Sequence, residues 1–229
     1  MKVIITGASG YIGQELVSQC LAHPSITSIV ALARRELTVT HEKLQTHVMS
    51  DEDFVSYSNP SLVEKLAGAN ACLYTVGILP SKARNDEPTR RVSIDYVKAA
   101  AEASQRISTA RKAKDTAADG NRKFRFVYVS AAGTVRDQNA SLWYWEHFRK
   151  LRGELENILL RHAEANKDVF ESYIVRPGLV PTVPGTLRDY FWSLAPSVPK
   201  HMLAKAMIDV AIHGNEEAII ENQTMRDWI

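Results

Sequence analysis

Thr6-Gly7-Ala8-Ser9-Gly10-Tyr11-Ile12-Gly13, preceded by the apolar run Val3-Ile4-Ile5, decides how the rest of the chain is read. A short apolar run that ends in a glycine-rich turn and continues into an amphipathic stretch, Tyr11 to Leu21, reads as a buried strand joined to a helix. Ile12, Leu16, Val17 and Cys20 fall at helical spacing along that stretch. Each glycine answers a need for a missing side chain. Gly7 allows a tight turn, Gly10 lets backbone approach a phosphate, and Gly13 lets the helix pack closely on the strand. The helix N-terminus then offers free N–H groups and the positive end of its dipole to a diphosphate. The same spacing occurs in ordinary strand-to-helix turns, and it is the context that favours a nucleotide cofactor.

Working outward, the second apolar run, Ile26 to Ala33, ends in Arg34-Arg35. At the tip of the second strand of a dinucleotide fold an acidic residue selects NAD, whereas arginine accommodates the 2′-phosphate of NADP. A charge-assisted Arg–phosphate hydrogen bond contributes about 1.5–3 kcal/mol, so NADP (NADPH) is the expected cofactor in preference to NAD. The competing reading is a solvated arginine pair at a strand end.

Apolar runs alternate with helical patterns almost to the C-terminus. Strands are expected at 2–6, 27–33, 44–49, 70–76, 124–129 and 170–175, with helices near 11–22, 61–67, 88–105 and 142–164. Strands of this kind, separated by helices, build a parallel sheet covered on both faces. The expected fold is therefore α/β, a single-domain Rossmann-type doubly wound parallel sheet over residues 1–229. After residue 176 the prolines Pro177, Pro181, Pro184, Pro196 and Pro199 break the chain into short pieces, read as a small substrate-covering region at about 177–215. A helix from about Lys200 to His213, a short strand at 218–221 and a terminal helical turn are expected to close the chain.

With 229 residues, 45% of them hydrophobic, the chain suits one domain with a sizeable core. No run approaches the roughly 18 apolar residues of a membrane span, and no leader pattern precedes the first strand, so a cytoplasmic protein is expected. Cys20 and Cys72 read as small buried hydrophobes in a reducing compartment. The net charge of +2 gives no reason to expect a nucleic-acid partner. The basic run from Arg106 to Arg125 contains Asp115 and Asp119 and reads as a solvated loop or helix end. The seven histidines show no ligand spacing, so no metal is expected. Oligomeric state is left open.

The TGASGYIG turn, Arg34-Arg35, the stretch Phe126-Val127-Tyr128-Val129-Ser130-Ala131-Ala132-Gly133 and Arg176-Pro177-Gly178 together resemble an atypical short-chain dehydrogenase/reductase. The likeness is to its Tat-interacting-protein-like branch of NAD(P)-binding oxidoreductases. Asp95-Tyr96-Val97, Arg152-Gly153-Glu154-Leu155-Glu156 and Ile219-Ile220-Glu221-Asn222 share it, and only the insert at 106–123 does not. The resemblance implies a Tyr-x-x-x-Lys pair assisted by a serine, with the tyrosine exchanging a proton with substrate as hydride moves. This chain departs from that pattern: Phe148 falls at the tyrosine position, Arg152 at the lysine position and Ala131 at the second serine. Phenylalanine carries no proton to give.

Carried over residue by residue, the resemblance puts Gly7, Ser9, Gly10, Tyr11, Ile12 and Gly13 at the diphosphate, and Arg34 with Arg35 at the 2′-phosphate. Asp51 meets the adenine, and Val76-Gly77 form the wall beside the adenosine ribose. Ser130, Arg152, Pro177, Gly178 and Val180 surround the nicotinamide half, where Arg152 replaces the lysine on the ribose hydroxyls. Tyr144, four residues before Phe148, is expected about 6 Å from it on one helix face, as a substitute phenol. The residues assigned to chemistry are thus Tyr144, Arg152 and Ser130. Trp143, Tyr144, Trp145 and Phe148, joined by Phe191 and Trp192, line an aromatic substrate cavity or simply pack in the core. Two functions follow from these residues. One is an NADP-dependent enzyme acting on a small aromatic or polycyclic molecule without the Tyr-Lys pair, by reduction, isomerisation or cyclisation. The other is a non-catalytic NADPH-bound sensor or assembly protein with a protein partner.

Overall fold

The structure is a computed structural model that describes residues 1–78, 84, 86–114, 122–181 and 197–228. Its centre is a seven-stranded sheet made of β1 (Lys2–Thr6), β2 (Ser28–Ala33), β3 (Leu44–Val48), β4 (Ala71–Tyr74), β5 (Phe124–Val129), β6 (Phe170–Arg176) and β7 (Ile219–Glu221). The spatial order is β3-β2-β1-β4-β5-β6-β7, and every neighbouring pair is parallel. This is a Rossmann-type α/β fold. Strand order reverses at β1, so the crevice beyond the carboxyl ends of β1 and β4 is where such a sheet takes a ligand.

Helices cover both faces. On one side lie α1 (Tyr11–Ala22) and α7 (Lys200–His213), whose Leu16, Val17, Cys20, Leu203 and Met207 pack on Val3, Ile5, Ala31, Leu73 and Val127. The other side carries α2 (Asp51–Ser56), α3 (Pro60–Leu66), α5 (Tyr96–Lys114) and α6 (Glu146–Ala165), packed on Ile4, Val30, Cys72, Tyr74 and the Phe124, Phe126 and Phe170 rings. Alternate strand residues thus serve opposite faces, which is why the buried strands read as unbroken apolar runs. A short helix, α8 (Asn222–Asp227), follows β7.

Four local features depart from the expectations. The stretch Asp51–Ser56 is helical, started by a capping box in which Ser50 Oγ accepts from the Asp53 N–H and Asp53 accepts from the Ser50 N–H. The long helix is broken into α4 (Glu87–Arg90), a π-helical turn at Arg91–Asp95 and α5, which runs nine residues past the expected end at 105. Helix α6 begins at Glu146 rather than 142, because Trp145 adopts a left-handed backbone (φ +46°) that cannot continue a helix. Of the basic run, Arg111, Arg122 and Arg125 donate to the Ala69 and Ile212 carbonyls and so tie loop and helix ends together. The rest of the insert, 115–121, lies outside the described residues. So do residues 182–196 of the expected substrate-covering segment, with Pro184, Phe191, Trp192 and Pro196. Among the described residues no helix is long and apolar enough to cross a membrane.

Candidate cofactor-binding site

The turn between β1 and α1 is built on missing side chains. Gly7 has φ +87°, and a Cβ there would stand 2.6 Å from Thr75 Oγ1 and 3.2 Å from Val76. Its N–H donates to the Leu32 carbonyl at 2.9 Å, locking the turn to the end of β2. A Cβ on Gly13 would overlap the Gly7 carbonyl oxygen and come within 2.8 Å of Ala8 Cα, so only glycine lets α1 sit against its own turn. Gly10 is different. Its φ is −80° and its nearest neighbour is the Gly7 oxygen at 3.1 Å, so the fold asks little of it. The first helical hydrogen bond runs from Gln14 N–H to the Gly10 carbonyl, which leaves the N–H groups of Tyr11, Ile12 and Gly13 ahead of the helix's own ladder. Neither a capping side chain nor an acidic residue stands in that first turn. Ser9 accepts a bond from Gln14 through its carbonyl, Ile12 packs against the core, and the Tyr11 hydroxyl donates to the Pro181 carbonyl at 2.6 Å.

Arg34 and Arg35 follow β2 and are exposed. Asp51, first residue of α2, is also exposed, and its Oδ1 accepts from the Tyr96 hydroxyl at 3.3 Å. Burial, then the Asp51 charge, pushes the Tyr96 phenol above its ordinary pKa, while the fields of Arg91 and Arg34 oppose this. Arg34, Arg91 and Asp51 therefore surround one phenol, whose ring stacks on Phe54 at 5.1 Å. The tips of β2 and β3 and the π-helical turn meet there.

Across the cleft, Arg152 of α6 reaches back to the sheet. Its Nη1 donates to the Tyr128 hydroxyl and to the Val129 carbonyl, both at 3.0 Å, and its guanidinium carbon lies 4.8 Å from the Phe148 ring centroid. Nη2 stands 3.2 Å from where a Gly77 Cβ would be, and Nε is buried without a hydrogen-bond partner. Val76 is half-buried and Gly77 exposed. Pro177 is buried with its carbonyl taken by the Ala132 N–H, the Gly178 N–H donates to Asn222 Oδ1 at 2.8 Å, and Val180 packs on the core.

Ser130, expected beside the nicotinamide, is buried, and its hydroxyl donates to Glu156 Oε1 at 2.6 Å. Glu156, fully buried, also accepts from Arg176, and Arg176 reaches on to Glu221 at 2.8 Å. A buried carboxylate needs such partners, and Ser130 is one of them. Tyr144 was expected on the helical face of Phe148, yet it precedes α6, with its ring under the Arg149 guanidinium at 4.6 Å. Trp143, Tyr144 and Trp145 are 92%, 45% and 59% exposed and pack edge to face on one another. They are neither core nor the walls of a closed cavity. Sequence reading missed Tyr128, Glu156 and Gly153; a Cβ on the last would overlap the Val135 carbonyl oxygen, so α6 approaches the post-β5 loop only through glycine. Burial pushes the Cys20 and Cys72 thiols up to about 12, which suits neither to nucleophilic work.

A pyridine dinucleotide fits this cleft on two observations. The uncapped N–H groups of Tyr11, Ile12 and Gly13 open α1 with no acidic residue in its first turn, as a diphosphate needs, and the orphaned Nε–H of Arg152 lacks an acceptor that ligand oxygen would supply. The sequence pattern of the NAD dependent epimerase/dehydratase family matches residues 3–138. A short-chain dehydrogenase/reductase from Saccharomyces cerevisiae shares the fold at a TM-score of 0.68 and 13% identity, covering 100% of this chain and 99% of that one. An oxidoreductase of the short-chain dehydrogenase/reductase family from Burkholderia thailandensis does so at 0.67 and 17%, over 98% and 92%. A nonribosomal peptide synthetase of Aspergillus aculeatus is 43% identical over 47 residues, which is 20% of this chain and 3% of that protein.

Proposed function

The chain belongs to the NAD-dependent epimerase/dehydratase family, and we propose that it is an NADP-dependent oxidoreductase or isomerase that works without a Tyr-x-x-x-Lys pair. Its substrate on this reading is a small aromatic or polycyclic molecule. The observation that carries the proposal is the pairing of Phe148 with Arg152, whose Nη2 reaches the post-β4 loop at Gly77. The main-chain N–H groups of Tyr11, Ile12 and Gly13 grip the diphosphate, Arg34 and Arg35 meet the 2′-phosphate, and Asp51 with Val76-Gly77 borders the adenosine. Arg152 holds the ribose hydroxyls of the nicotinamide half, beside Pro177, Gly178 and Val180. When bound, the cofactor supplies a hydride donor or acceptor.

The protein then supplies position and charge. Phe148 has no proton to give and Arg152 serves as a fixed hydrogen-bond donor, so neither passes a proton to substrate. Arg152 instead places a fixed positive charge where negative charge develops, and water or the Tyr144 phenol supplies any proton the reaction needs. Trp143, Tyr144 and Trp145 offer flat apolar faces on which an aromatic substrate stacks. A second reading, a non-catalytic NADPH sensor with a protein partner, draws on Ala131 and Phe148 at the proton-handling positions and on the burial of Ser130.

Calorimetry with NADPH and NADH, followed by NADPH consumption against aromatic ketones and quinones, tests both. The expected result is tighter NADPH binding and turnover that responds to Phe148→Tyr. Turnover unchanged in both Phe148→Tyr and Tyr144→Phe refutes the placement, and tight binding without consumption selects the sensor.

A further inference from the structure

Resting on the cofactor reading above, we propose that Tyr128 and Phe148 are positioning residues: they hold the Arg152 guanidinium so that its Nε–Nη2 edge meets the vicinal hydroxyls of the nicotinamide ribose. A guanidinium presents five N–H groups in a rigid fork, and its Nε–H and one Nη2–H lie parallel along one edge, matched to two adjacent oxygens. The two N–H groups of Nη1 go to the Tyr128 hydroxyl and the Val129 carbonyl, so that end is tethered to β5. The Phe148 ring closes one face of the plane. With the tether and the face set, the remaining edge has one orientation, toward the post-β4 loop, where Nη2 lies 3.2 Å from the space a Gly77 side chain would fill.

That edge is prepared for a ligand rather than for the protein. Nε is buried with no acceptor, and among the described residues no carboxylate forms an ion pair with Arg152. Buried N–H groups nearly always find partners, so an unpaired one on a residue otherwise clamped on two sides marks the position of an absent oxygen. The arrangement also explains why phenylalanine suits position 148. A flat ring supports the cation without offering a competing acceptor, while the phenolic oxygen that anchors the fork comes from Tyr128 on the sheet. Tyr128 is buried and acts only through Arg152.

The test is calorimetry on the full chain with two probes: NADPH, and adenosine 2′,5′-bisphosphate, which lacks the nicotinamide ribose. Tyr128→Phe is expected to weaken NADPH about tenfold and leave the bisphosphate unchanged, with Phe148→Leu acting in the same direction. In an Arg152→Met background, Tyr128→Phe is expected to have no further effect. The inference is overturned if Tyr128→Phe binds NADPH as the parent does, weakens both probes equally, or still weakens NADPH when Arg152 is gone. Should the parent chain bind neither probe, it is the cofactor reading itself that fails.

Discussion

Replacing Gly13 with alanine tests the geometry on which the cofactor cradle stands. The added Cβ would lie 2.8 Å from Ala8 Cα, where ordinary contact begins at 3.4 Å, and would overlap the Gly7 carbonyl oxygen. Both obstacles are backbone, so neither can swing aside. Helix α1 must retreat by roughly 0.6 Å or more, and a gap of that size forfeits a quarter to a half of each contact's dispersion energy. The contacts at stake are those of Leu16, Val17 and Cys20 with Val3, Ile5 and Ala31, all buried. Overpacking of this kind costs about 3 kcal/mol, and for a chain of this length a drop of about 6–12 °C in melting temperature follows. Gly10→Ala is the control, since its backbone is ordinary and its one neighbour, the Gly7 oxygen, is 3.1 Å away. It should cost less than about 1 kcal/mol in stability, yet weaken NADPH because its methyl group stands where the diphosphate approaches. Thermal melting by circular dichroism, with calorimetry beside it, separates the two. A Gly13→Ala protein that melts within about 2 °C of the parent would refute the steric reasoning.

Further outcomes follow from other parts of the structure. Changing Arg34 and Arg35 together to alanine should raise the dissociation constant of NADPH about tenfold and leave NADH nearly unchanged, as competitive titration would show. Glu156→Gln keeps an acceptor for Ser130 but leaves the Arg176 charge to Glu221 alone; a loss of about 2–3 kcal/mol is expected in urea unfolding, and a change below about 0.5 would deny the network its structural role. His162 has its pKa lowered, by burial first, with Glu102 opposing and Lys98 assisting, while its ring packs on Phe170. Because the unfolded chain binds that proton more readily, its contribution is complete above about pH 6.5 and declines as pH falls further. Unfolding free energies measured between about pH 7.5 and about pH 5.5 should show this slope, and His162→Gln should flatten it.

Much of the cradle was legible in one dimension because its demands are local. Gly7 and Gly13 are required by the path of the backbone within a few residues of themselves, and the strand and helix on either side announce themselves by periodicity. The place of Arg34-Arg35 at the end of β2 was legible for the same reason, being the tip of a buried run. The partner of Ser130 was not, since what a strand-end hydroxyl bonds depends on what approaches it, and here Glu156 approaches from α6, 26 residues later. Tyr144 was misplaced because a helix start was inferred from spacing, whereas the left-handed Trp145 delays it to Glu146. Gly153 looked like any helical glycine until α6 was laid against the Val135 carbonyl.

Residue type, local backbone freedom and periodic burial were enough to fix the parallel sheet, the glycine turn and the absence of a phenol at position 148. Long-range packing alone tethers Arg152 to Tyr128 and backs it with Phe148, leaving one edge unpaired. That arrangement joins β5 to α6 across the cleft. The direction a long side chain takes is set by whichever acceptors packing brings within reach, and no spacing along the chain records them.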